Sequence, residues 1–206
     1  MYKRPIMVAM DQEGVLTPEV WIAFAESTGI DALRMTTRDE PNYDVLMRKR
    51  LAILKENGFK LSDIQAVIET MDLLPGAAEY IEWLNERYQG IILSDTFYEF
   101  AQPFMEKLGW PTLFCNSLEV DDEGTIVDYH LRLLDGKRHA VLGFKQLNFD
   151  VVAMGDSYND TTMLCEAHQG ILINPPPNVI EEFPQFPVAT DYETVKNIIV
   201  EFDAKR

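Results

Sequence analysis

Apolar residues along this chain follow two patterns. Short uninterrupted runs occur at Ile6-Met7-Val8-Ala9-Met10, Ile91-Ile92-Leu93, Val151-Val152-Ala153-Met154 and Ile171-Leu172-Ile173. Runs of this length bounded by glycine predict strands buried on both faces of a parallel sheet. Between them, apolar positions recur every three or four residues, the signature of amphipathic helices. Thr17-Pro18-Glu19 reads as an N-cap, an N1 proline and an acidic first turn. The helix that follows carries Val20, Trp21, Phe24 and Ala25 on one face and stops near Gly29. Residues 30 to 42 read as irregular, with Pro41 as a breaker. A second helix is predicted from Tyr43 to Asn57, with Val45, Leu46, Leu51 and Leu54 as its apolar stripe and Gly58 as its C-cap. Ser62 with Gln65 forms a capping-box pattern for a third helix through Met71.

Three successive helices with no strand among them predict a helical insert, 17–74, lying as a cap over the strand tips of a core made of 1–16 and 75–206. From Pro75 the pattern alternates. Helices are expected at 76–87, 98–108, 137–147 and 159–168, and strands at 90–93, 112–115, 151–154 and 170–173. Residues 117–133 alternate around Asp121-Asp122-Glu123-Gly124 as a hairpin, and a closing helix near 191–203 follows Pro175-Pro176-Pro177. Repeated βα units with short connections predict an α/β fold with a doubly wound parallel sheet and right-handed crossovers.

Charge narrows the function. Lys plus Arg number 18 against 34 Asp plus Glu, a net charge of −16, and no basic run exceeds Arg48-Lys49-Arg50. Nucleic-acid binders need basic stripes, so that class is set aside. An anionic substrate would have to be drawn in by local groups and a metal against the overall field. Cys115 and Cys165 match no zinc or redox spacing and read as small hydrophobes in a reducing compartment. The start of the chain runs into a strand too short for a signal segment, and no apolar run approaches the roughly 20 residues of a membrane helix. A cytoplasmic location without membrane association is therefore expected. A homodimer is left open by the pattern.

Three expected strands end in reactive side chains: Asp11 and Glu13, Ser94 and Asp95, and Asp156 with Asp160 one helical turn later. Lys137 begins the helix that feeds the third. In open α/β sheets ligands bind in the crevice outside the strand tips. Acids delivered there can hold a divalent cation, attack as a nucleophile or shuttle a proton.

The set MDQEGVL, ILSD, Lys137 and GDSYND resembles the four motifs of the haloacid dehalogenase-like hydrolases, in order and over essentially the whole chain. The insert is similar to that family's small cap. The resemblance implies phosphoryl transfer with Asp11 as nucleophile and Glu13 as acid/base. It implies Mg²⁺ on Asp11, Asp156, Asp160 and Glu13, the last through its backbone carbonyl, with Asp160 either a ligand or an orienter. Ser94 and Lys137 would hold the phosphoryl group, and Asn159 and Asp95 would join them in binding substrate. Phosphoserine phosphatases of the family take a glutamate and an arginine from the cap. By that resemblance Glu19 would meet a substrate ammonium and Arg50 its carboxylate.

Two departures stand out. Glu13 occupies a position where most phosphatases of the family have Asp, which lengthens the side chain by one methylene. Asp95-Thr96 replaces the two glycines that usually follow the motif serine in phosphoserine phosphatases. ILSDTFYEF, taken with DQEGVL and GDSYNDTTML, most closely resembles the branch that both hydrolyses phosphoserine and transfers its phosphoryl group to homoserine. The expected ligands are thus a phosphorylated amino acid and homoserine as a second acceptor. A sugar phosphatase shares the core chemistry and differs only in the cap. A phospho-accepting signalling domain would carry its acceptor Asp in mid-chain and would need no insert.

Overall fold

In the computed structural model, which describes residues 3–37, 39–40 and 42–206, the run Ile6–Met10 is strand β1 at the centre of a seven-stranded sheet. The others are β2 (Gln89–Phe97), β3 (Leu113–Val120), β4 (Ile126–His130), β5 (Asp150–Gly155), β6 (Gln169–Ile173) and β7 (Val188–Ala189). Their order is β4-β3-β2-β1-β5-β6-β7, and all neighbours are parallel except β4, which turns back on β3. All five residues of β1 are buried. Ile6, Val8 and Met10 enter the apolar cluster on one face and Met7 and Ala9 that on the other, as the two-residue period of a strand requires. Register aligns Met10 with Ile92 of β2 and with Met154 of β5. The three strand ends that carry the reactive side chains therefore emerge side by side.

Nine α-helices surround the described sheet: α1 (Val20–Thr28), α2 (Tyr43–Asn57), α3 (Leu61–Glu69), α4 (Ala77–Asn85), α5 (Tyr98–Lys107), α6 (Gly136–Gln146), α7 (Thr161–Glu166), α8 (Pro177–Glu182) and α9 (Tyr192–Lys205). Helices α1 to α3 bury Trp21, Phe24, Met47, Leu54 and Ile64 in the same cluster as Leu16, Phe97 and Phe100 of the sheet side. Trp21 meets the Phe100 ring edge-on at 5.8 Å. Large aromatic burial of this kind contributes about 2–3 kcal/mol per side chain. Polar ties reach the hairpin as well: the Arg48 guanidinium lies 2.7 Å from Asp128, and the Tyr129 hydroxyl donates to Asp44 at 2.6 Å. Among the described residues no helix is long and apolar enough to cross a membrane.

Several boundaries differ from the sequence reading. Helix α1 starts at Val20 with Glu19 as the extended flanking residue, so Thr17 is not its cap. Thr17 instead closes a tight turn in which the Gln12 carbonyl accepts from the amides of Val15, Leu16 and Thr17. Helix α3 starts at Leu61, where the Asp63 carboxylate accepts from the Lys60 amide at 2.7 Å. Gln65 is drawn off to donate to the Glu99 carbonyl, so Ser62–Gln65 is no capping box. In α2, Val45 is exposed, and the buried face is Leu46, Met47, Arg50, Leu51 and Leu54. Strand β2 continues through Ser94 and Asp95 to Phe97, with a register break against β3 beyond Leu93. The segment expected to be irregular contains a 3₁₀ turn at Asp31–Arg34, and Pro41 lies outside the described residues. Helix α8 and the two-residue β7 carry too few apolar positions to show a period.

Candidate active site

The chain leaves β1 at Met10 and turns within Gln12–Thr17, which sets Asp11 and Glu13 at the strand tip. The Asp11 amide donates to the Met154 carbonyl at 3.0 Å, stitching the tips of β1 and β5 together. Gly14 makes this junction possible. Its φ is +77°, and a Cβ there would stand 2.6 Å from Asp156 Oδ2. Only glycine adopts that conformation without strain and lets a carboxylate sit against the backbone.

Beneath the tips, the buried Lys137 ammonium, carried by the first turn of α6, binds three carboxylates. It lies 2.8 Å from Asp11 Oδ1, 2.8 Å from Asp160 Oδ1 and 3.4 Å from Asp95 Oδ2. The other Asp160 oxygen accepts from the amides of Asp156 and Ser157 at 3.0 and 3.1 Å. Asp160, with no exposure, is thus pinned between a cation and two backbone donors. Asn159 Nδ2 donates to Asp95 Oδ2 at 2.9 Å, and the Ser157 hydroxyl donates to Asn159 Oδ1. The Thr96 amide donates to Ser94 Oγ at 3.2 Å, which orients the hydroxyl within β2, just past the register break against β3.

Burial holds the Asp11 carboxyl well above the usual carboxylate range, and Asp160 and Asp156 reinforce this while Lys137 opposes it. For Lys137, burial acts to lower the ammonium, but Asp11, Asp160 and Asp95 outweigh it and hold it well above its ordinary value. The Glu13 carboxylate faces the other way, toward Glu19 and the Val20 amide, 3.3 Å from Oε2. Burial and then the neighbouring Glu19 push Glu13 up to about 8. A carboxyl protonated at neutral pH beside the strand tip is suited to donate a proton.

Asp11, Asp156 and Asp160 each present a carboxylate oxygen, and these atoms lie within 4.8 Å of one another. Three buried oxygen donors converging at a glycine-lined turn fit a hard divalent cation. The resemblance places Glu13 at the metal through its backbone carbonyl, and its side chain lies outside this carboxylate cluster.

A cavity of about 90 Å³ opens above the triad, lined by Asp11, Glu13, Glu19, Arg50, Ser94, Asp95, Asp156 and Asn159. Sequence positions from 11 to 159 thus meet in one space, and Asp11 on its wall is held by the buried Lys137, itself paired with Asp160. Arg50 stacks 4.5 Å over the Trp21 ring, donates to the Met35 carbonyl at 2.9 Å and has no carboxylate partner among the described residues. Its Nε is buried without a partner. Burial lowers the guanidinium to about 10, so it remains cationic at neutral pH.

The sequence reading gives Trp21, Tyr43 and Gly14 no role at the site. Tyr43 donates to the Asp95 carbonyl at 3.0 Å and joins α2 to the tip of β2. Trp21 and Tyr43 carry no positional signal, since each acts through a residue far away in the chain. Gly14 follows the two acids directly, and a glycine needing positive φ at a strand tip was a signal available to find it.

The model of the haloacid dehalogenase-like hydrolase family matches residues 8–168. The chain belongs to the haloacid dehalogenase-like hydrolases. It is 61% identical over 190 residues to a Pseudomonas aeruginosa protein named phosphoserine phosphatase ThrH, covering 92% of this chain and 93% of that one. It is 58% identical over 190 residues to a Pseudomonas syringae pv. tomato protein named phosphoserine phosphatase, covering 92% and 80%. Its fold is similar to that of a substrate-bound phosphoserine phosphatase complex, with a TM-score of 0.80, 22% identity, and coverage of 96% and 99%. A structure described as a phospho-aspartyl intermediate analogue of phosphoserine phosphatase gives a TM-score of 0.75 at 24% identity, covering 90% and 93%. At these identities the two structures establish the fold alone. As a haloacid dehalogenase-like hydrolase, the chain has the α/β architecture and family expected from its motifs.

Proposed function

We propose that this hydrolase is a Mg²⁺-dependent phosphoserine phosphatase working through an aspartyl-phosphate on Asp11, with homoserine as a second acceptor. The observation that carries the reading is one cavity in which Asp11 and Glu13 share space with Glu19 and with Arg50, a guanidinium without a carboxylate partner among the described residues. The names of the two Pseudomonas relatives support it. Residues 17–74 act in this reading as a cap: α1 and α2 supply Trp21, Tyr43, Leu46 and Arg50 to the wall facing the strand tips.

Glu19 receives the substrate ammonium and Arg50 its carboxylate, which leaves the phosphoryl group over Asp11. Asp11, Asp156 and Asp160 would hold the Mg²⁺, with the Glu13 backbone carbonyl as a further donor. Bound there, the cation supplies charge that offsets repulsion between a carboxylate and a phosphate dianion. The Asp11 carboxylate forms a bond to phosphorus as the P–O bond to serine breaks. Glu13 gives its proton to the departing serine oxygen. Ser94 donates to a phosphoryl oxygen, and the Lys137 ammonium balances charge on Asp11. Glu13, now ionised, takes a proton from water or from the homoserine hydroxyl, whose oxygen displaces Asp11 from phosphorus. Asp95 lines the same cavity and offers an acceptor to the incoming alcohol. A bound, oriented alcohol competes well with water because its effective molarity is high.

A panel of phosphorylated amino acids and sugar phosphates assayed with Mg²⁺ tests the substrate. Phosphoserine should lead, and Arg50→Gln should raise its KM at least tenfold. A sugar phosphate preferred over phosphoserine would overturn the reading. Supplying labelled phosphoserine while titrating homoserine tests the transfer. Label should appear in O-phosphohomoserine; label found only as free phosphate at every concentration would leave hydrolysis alone.

A further inference from the structure

A second cavity, of about 190 Å³, lies on the far side of Asp95 and Lys137 from the site just described. These two residues and Ser94 belong to its wall, whereas Asp11 and Glu13 do not reach it. The rest of the wall is largely apolar, with Leu93, Phe114, Leu133 and Ala140. It exceeds the roughly 150 Å³ at which a dry apolar cavity accepts benzene.

Arg132 stands at this wall, with its guanidinium 4.5 Å over the Phe114 ring. One of its nitrogens donates to the Tyr98 hydroxyl at 2.8 Å, and its backbone amide donates to Asn116 Oδ1. The chain carries 34 acidic residues, and most described arginines lie beside a carboxylate. Among the described residues two arginines have no ion-pair partner, Arg50 and Arg132. Each is stacked at 4.5 Å on an aromatic ring and each lines a cavity, Arg50 buried and Arg132 exposed. Stacking fixes the guanidinium plane and leaves its edge donors directed sideways, the arrangement that grips a carboxylate at two points. In the first cavity that grip is ascribed to the substrate. The second repeats it beside apolar walls.

We infer that the cavity bounded by Phe114, Ala140 and Arg132 is a second ligand site, which takes a small carboxylic acid with an apolar body about the size of a benzene ring. Arg132 holds the carboxylate, and Leu93, Phe114, Leu133 and Ala140 enclose the body. Ser94 and Asp95 border both cavities, but the contacts inferred here, to Arg132 and the apolar wall, do not require the reaction assigned above.

Benzoate is the probe, titrated calorimetrically into the full chain at pH 7.5, with benzamide as the uncharged control. Benzoate should bind with a Kd on the order of 1 mM or below, as suits a ligand of this size, and benzamide at least tenfold more weakly. Arg132→Gln should weaken benzoate at least tenfold, and Ala140→Phe, which fills the cavity, should abolish binding. Arg50→Gln should leave it unchanged. Circular dichroism and phosphate release by Arg132→Gln and Ala140→Phe report whether those chains are folded, and Leu133→Trp supplies a second filling variant at an exposed position if Ala140→Phe is not. No binding at 20 mM, on the order of twenty times that Kd, would overturn the inference. So would binding that survives both filling variants, or binding lost in Arg50→Gln and kept in Arg132→Gln.

Discussion

Replacing Lys137 with Met keeps most of the stem and removes one charge from the centre of the site. The ammonium stands 2.8 Å from Asp11 and from Asp160, and 3.4 Å from Asp95. At an effective dielectric constant of about 20, each 2.8 Å contact is worth about 6 kcal/mol before desolvation is subtracted. Desolvation cancels most of that gain, but removing one partner of a buried pair typically costs about 3–5 kcal/mol because the other charge is left uncompensated. We expect a loss in that range in urea denaturation at pH 8 with EDTA present, so that metal binding does not mask it. The sign with pH follows from Asp11, which burial, Asp160 and Asp156 already hold above its unfolded value while Lys137 opposes them. Without the ammonium it rises further. A carboxyl with a raised folded pKa favours the fold when protonated and ceases to as pH rises through that pKa. The penalty should therefore be smaller at pH 5 than at pH 8. Adding Asp160→Asn to Lys137→Met should recover part of the loss, since the two sites share one network. A penalty below about 1 kcal/mol, or one equal at both pH values, would refute the assignment of Lys137 as the compensating charge.

Three further outcomes are expected. Gly14→Ala should lower stability by about 1–3 kcal/mol and weaken Mg²⁺ activation, because its Cβ would stand 2.6 Å from Asp156 Oδ2 at a φ of +77°; calorimetric melting and a Mg²⁺ titration of turnover read both. For phosphoserine, kcat/KM should fall as pH rises through about 8, where Glu13, raised by burial and then by Glu19, loses its proton; in Glu19→Gln that limb should move to lower pH. EDTA should abolish turnover and Mg²⁺ restore it, whereas Asp156→Ala should remain inactive with Mg²⁺ supplied.

Much of the fold was legible because local physics dominates it. The five apolar residues before Asp11 had to become a fully buried strand, and the three-to-four-residue period of Tyr43–Asn57 gave helix α2 with its bounds, ended by Gly58 in the left-handed region. Capping was less legible. Asp63, Ser62 and Gln65 all offer groups suited to a helix start, and distant Glu99 decided which of them was free. Helix α8 and strand β7 are too short to show a period, and their place follows from edge pairing with β6.

For the site, the sequence by itself determined which carboxylates leave the sheet and in what order, because a strand that ends in an acid must present it beyond the strand tip. It determined too that a chain of net charge −16 must gather its cations locally. Tertiary structure alone decided the partners. The alignment of β1, β2 and β5 brought Asp11, Ser94 and Asp156 to one edge, and α6 then set Lys137 beneath them. The direction of Glu13 toward Glu19, away from the acidic triad, depended on the turn at Gln12–Thr17. So did the stacking of Arg50 and Arg132 on rings 29 and 18 positions away in the chain depend on packing between elements. Spacing along a chain fixes which way a side chain leaves its own element. The group it meets is set by how elements pack, and charges act through space over a few ångströms irrespective of their separation in sequence.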